Sequence, residues 1–128
     1  MKYKKIIIIM VLLLVSFFLF AHSESKKNIK RIESYIEEIN NNQYKINVIN
    51  KKEKQNKEDM RGLTIYSKNM GLRLEDISNT YTHTSKQEDK DEILSLLKSK
   101  ISKDTFQICI DNADLNYLDD DIAHLYDE

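Results

Sequence analysis

The chain contains no proline and no tryptophan, and only two glycines and one cysteine in 128 residues. Without proline, and with Gly62 and Gly71 as its only glycines, it offers neither a Pro-rich stalk nor a flexible Gly/Ser linker between folded parts. Cys109 has no partner for an internal disulfide, so stability must come from packing rather than crosslinks. No cysteine follows an apolar run, which excludes a lipid-attached lipoprotein. There is no H-E-x-x-H, no zinc-spaced cysteine or histidine pair, no G-x-S-x-G and no glycine-rich phosphate cradle. No catalytic residue, metal ligand set or cofactor is therefore expected, and nucleic acid is not an expected partner.

The first twenty-three residues carry the strongest positive signal. Lys2, Lys4 and Lys5 precede an unbroken apolar run from Ile6 to Val15, followed by Ser16 to Ala21. A basic start, an apolar helix and small residues at Ala21 and Ser23 form an export signal of bacterial type, with cleavage expected after Ser23. As a helix, the sixteen residues from Ile6 to Ala21 cover roughly 24 Å, whereas a bilayer core needs about 30 Å. An uncleaved transmembrane anchor, extended by His22 and Ser23, is the other reading. Either way the chain from Glu24 onward is expected outside the cytoplasm, secreted or held at the outer face of a Gram-positive-type membrane.

Charge is uneven in the rest. Residues 24–110 hold 17 basic and 14 acidic side chains, whereas residues 111–128 hold seven acidic and no basic ones. The Lys51–Lys57 stretch, with four lysines and one glutamate, suits anionic headgroups or wall polymers if it is more than a solvated loop.

Periodicity suggests a mixed fold. Ile29, Ile32, Ile36 and Ile39 mark an amphipathic helix over 26–40, ended by Asn40 to Asn42. Residues 44–50 alternate with period two and read as a strand, 51–59 as a loop, 62–68 as a second strand, and 72–84 as one bent strand or two short ones. Ser85 to Glu88 matches a capping box ahead of a helix over 87–102 with Ile93, Leu94, Leu96, Leu97 and Ile101 inward. Residues 105–111 read as a strand with Phe106, Ile108 and Ile110 on one face. Leu115, Leu118, Ile122 and Leu125 then mark an acidic amphipathic helix. The expected architecture is α+β: a small antiparallel or mixed sheet of three to five strands with two to three amphipathic helices. The expected division is 1–23 signal or anchor, 24–112 the α+β domain, and 113–128 the C-terminal helix.

Few residue sets suggest chemistry. Asn112, Asp114 and Asn116 begin like a calcium loop, but Tyr117 and Ala123 occupy the positions that need glycine and glutamate. His83, beside Glu75 or Asp76, is the one candidate pair for a small wall-active hydrolase. Cys109 reads as a small packed side chain, with intermolecular pairing as the alternative. The leading expectation is a non-enzymatic exported module that binds a protein through Leu115, Leu118, Ile122, Leu125 and the acids Asp119, Asp120 and Asp121, or through a sheet edge. An immunity or inhibitor protein acting at the membrane is a further expectation.

Overall fold

Isoleucines at 32, 36, 39, 46 and 49 fall on one stripe that is buried throughout, and this stripe organises the fold. In the computed structural model, which describes the backbone of residues 2–127 and no side chains at 2, 18 and 20–24, that stripe lies on a helix of 49 residues. The elements are α1 (Lys2–Asn50), α2 (Lys57–Thr82), α3 (Gln87–Lys100), α4 (Lys103–Asp111), a 3-10 turn (Leu115–Tyr117) and α5 (Asp120–Ala123). The expected α+β sheet is corrected: among the described residues 82% are helical and none forms a strand.

Each expected strand fails for a physical reason. In residues 44–50 the buried positions are Ile46 and Ile49, which continue the spacing of Ile39 through Gln43; Tyr44 and Val48 face solvent. Asn40 to Asn42 do not end the helix. Asn42 Nδ2 donates to the Glu38 carbonyl four residues back at 2.9 Å, and Asn40 Nδ2 donates to the Lys100 carbonyl at 3.0 Å at the end of α3. In residues 62–84 the buried large apolar side chains are Met70, Leu74, Ile77 and Tyr81, at steps of four, three and four. Thr80 and Thr82 sit in a helix because their hydroxyls are satisfied locally, donating to carbonyls four residues back at 3.1 and 2.9 Å, and Thr84 just past its end does the same at 2.7 Å. In residues 105–111 Ser102 caps α4 by accepting from the Thr105 N–H at 3.1 Å, and Phe106 and Cys109, three apart, are buried while Ile108 and Ile110 are half-buried.

The helices α1 and α2 form an antiparallel hairpin whose register is set by specific pairs. Ile49 meets Gly62, Lys45 lies 5.2 Å over the Tyr66 ring, and Arg73 reaches both Glu38 (3.4 Å) and the Tyr35 ring (5.8 Å). Across the other side of α2 lies α4, pressed so close at Gly71 that a Cβ there would stand 2.1 Å from the Asn112 carbonyl oxygen. The helix α3 closes over α1, contributing Ile93, Leu97 and then Ile101 to one apolar core that also takes Leu118, Ile122 and Leu125.

The start of α1 stands apart from this core. Tyr3, every residue from Ile6 to Val15, Phe17 and Leu19 are exposed, the apolar ones from Ile6 to Phe17 by 49 to 71%. Among the described residues no helix is long and apolar enough to cross a membrane, which corrects the transmembrane helix expected as one reading. The shortfall is one of length, since the apolar run covers roughly 24 Å of the about 30 Å required. The side chains around the expected processing site, Ala21 to Ser23, lie outside the described residues.

Candidate functional site

The acidic C-terminal segment is not one helix. Asp114 and Asp119, at the starts of two separate turns, accept from the backbone N–H of Asn116 (3.0 Å) and Asp121 (2.9 Å), so the carboxylates interrupt the chain and restart it. Of the four residues on the apolar stripe, Leu118, Ile122 and Leu125 are buried in the chain's own core, while Leu115 is 62% exposed.

Two of the three consecutive acids fasten this segment to α2. Ser78 Oγ, fully buried, accepts from the Asp119 N–H at 2.7 Å, and Tyr81 donates its hydroxyl to Asp121 at 2.8 Å. Burial first, and then that bond to an anion, hold the Tyr81 hydroxyl well above its ordinary pKa. Tyr126 donates to the Ile101 carbonyl and meets Phe106 edge-on, with centroids 5.3 Å apart. Asp120 remains exposed and lines a groove with Lys103, Phe106, Ile110, Leu115, His124 and Tyr126. The 3-10 turn stays uncovered: Leu115 and Tyr117, the latter 67% exposed, lie in an acidic segment with no lysine or arginine.

The hydrolase candidates do not come together. His83 follows Glu75 and Asp76 by eight and seven residues, roughly 12 and 10 Å along the helix axis, and its Nδ1 lies 2.8 Å from the Asn79 carbonyl instead. Asp76 pairs with Arg73 at 3.2 Å. Cys109 is fully buried, and burial pushes its thiol up to about 12, so it is neither a nucleophile nor available for intermolecular pairing in the folded chain. Among the described residues no group of three or more His, Cys, Asp or Glu is placed to hold a metal ion.

A second groove, at the hairpin tip, escaped the sequence reading. Tyr44, Val48, Ile49 and Tyr66 line it around Gly62, together with Lys45 and Lys52. The signal was present in two places: Tyr44 and Val48 are one helical turn apart, and a helical glycine lets the Ile49 and Tyr66 side chains close in over its backbone. Searches of protein-family models, curated proteins and solved structures find no match to this chain.

Proposed function

We propose that the chain is an exported, non-enzymatic protein-binding module of Gram-positive type, directed out of the cytoplasm by residues 1–23 and released by cleavage after Ser23. The observation that carries this reading is the division of α1. Its apolar start is uncovered by the rest of the chain, whereas the core begins at Ile32 and closes without it. An apolar run exposed on all sides has no folding role here and suits a segment read by an export apparatus. The protein-binding part rests on Leu115 and Tyr117, which stay uncovered although the same segment buries Leu118, Ile122 and Leu125.

Expression of the full chain in a Gram-positive host, with mass spectrometry of the product, tests the export step. A chain in the medium beginning at Glu24 is expected; an intact chain beginning at Met1 in the cytoplasm overturns it. Crosslinking at the cell surface is expected to recover a protein partner with the wild type and to lose it with Leu115→Ser/Tyr117→Ser. Equal recovery with both removes that surface from the proposal.

A further inference from the structure

Two uncovered apolar features lie on this chain, and they carry opposite charge surroundings. The first is the exposed pair Leu115 and Tyr117, within a segment, residues 111–127, that has six aspartates, one histidine and no lysine or arginine. The second is the groove at the hairpin tip, walled by Tyr44, Val48, Ile49 and Tyr66 and lined by Lys45 and Lys52, with Lys51, Glu53 and Lys54 on the adjoining turn and Lys57 at the start of α2. The acids at the groove are Asp59, already held by Lys52 at 2.8 Å, and Glu58. The C-terminal segment, with six aspartates against one histidine, and the hairpin tip, with Lys45, Lys51, Lys52, Lys54 and Lys57 against Glu53, Glu58 and Asp59, are of opposite net charge and each carries uncovered apolar side chains, the two terms that govern association.

They cannot meet within one chain. Gly62 lies in the groove, whereas Gly71 abuts Asn112 and Ala113, just before the 3-10 turn. Nine residues at about 100° each put these two glycines half a turn apart, on opposite faces of α2. The same placement works against a two-fold pair in which both contacts form at once. We infer that the partner is a second copy of this chain, with the Leu115–Tyr117 turn of one copy seated in the Tyr44–Val48–Tyr66 groove of the next, a head-to-tail contact that extends beyond a dimer. The inference rests on the protein-binding reading and names its partner.

The test uses the full chain in a nonionic detergent that covers Ile6 to Phe17, with mass followed by light scattering against protein concentration. Wild type is expected to grow past dimer with concentration and to revert toward monomer as salt is raised. Leu115→Ser/Tyr117→Ser removes the apolar pair, and Tyr44→Ser/Val48→Glu spoils the groove; all four positions are exposed, and helicity by circular dichroism checks each fold. Each variant alone is expected to associate at least about tenfold more weakly than wild type. Mixed together, they are expected to form a one-to-one heterodimer that grows no further, because one intact turn meets one intact groove. Lys51→Glu/Lys54→Glu, on the exposed turn, weakens the same contact through charge alone and stands in if the groove variant loses helicity. A wild type that stays monomeric, variants that associate like wild type, or a mixture that stays monomeric overturns the inference. A monomeric wild type that still yields a crosslinked surface partner of a different mass overturns self-assembly and leaves the protein-binding reading standing.

Discussion

Gly71 shows how far one residue can decide this fold. A glycine in a helix interior costs about 1 kcal/mol relative to alanine, yet α2 places one at its centre. A Cβ there would stand 2.1 Å from the Asn112 carbonyl oxygen and 2.8 Å from the Ala113 nitrogen, backbone atoms that cannot swing aside. Gly71→Ala is expected to push α4 off α2 and to lower stability by at least about 2 kcal/mol, read as a fall in the urea midpoint. Gly62→Ala is the control, since a Cβ there meets the side-chain ends of Ile49 and Tyr66 at 3.3 Å, and its effect should stay within about 1 kcal/mol. From the sequence, Gly71 reads as a strand interruption; the close approach that requires it involves residues forty positions away. Gln43 is a second such case. It occupies the apolar stripe of α1, donates to Asn47 at 2.9 Å, and leaves its Oε1 buried without a partner, which only the packing of α1 reveals.

At the level of elements, the helix α2 has a defined start. Asn56 accepts from the Asp59 N–H at 2.7 Å while Asp59 accepts from the Asn56 N–H at 3.2 Å, a reciprocal cap. The sequence carries this signal as Asn56-x-x-Asp59, but within a polar run from Lys51 to Asp59 it reads as loop. Asn56→Ala should lower stability by about 1 kcal/mol, measured by urea unfolding, and unchanged stability would show that the cap is redundant. The capping box expected at Ser85 is absent: Lys86 precedes α3 and makes no side-chain cap bond, although the helix itself begins at Gln87 as its periodicity indicates. Helical segments at 26–40, though not the continuation past Asn40, and at 87–100 were legible because isoleucine and leucine recur there at three and four. Those at 44–50, 62–84 and 105–111 were not, because short stretches rich in isoleucine, threonine and tyrosine satisfy both periods and only packing partners decide between them.

On the scale of the whole molecule, stability should depend on pH in two windows. Asp127, bonded to His124 at 2.6 Å, raises the histidine pKa above its ordinary 6.5. The folded state then holds more protons than the unfolded one, so this contribution is complete below pH 6.5 and is lost as pH rises through the folded value. Asp59 behaves oppositely: its bonds to Lys52 and the Asn56 N–H lower its pKa from 3.8, giving a contribution present above that value and lost as the solution is acidified through the lower folded one. Urea midpoints measured across these ranges should fall at both ends. His124→Gln should flatten the alkaline slope alone, and an unchanged slope would exclude His124 as its source. Both partners of each pair are partly or largely solvated, so the effects are small against the core. The amino-acid sequence by itself determined that stability rests on packing without disulfides, that an unbroken apolar run opens the chain, and that 26–40 and 87–100 are helical, because composition and periodicity are local properties. Only the tertiary structure decided that the intervening segments are helices, that Leu118, Ile122 and Leu125 are core while Leu115 and Tyr117 are not, and that a groove opens at Gly62. Those outcomes depend on which distant surfaces meet, and burial against a partner overrides local preference when the local signals balance.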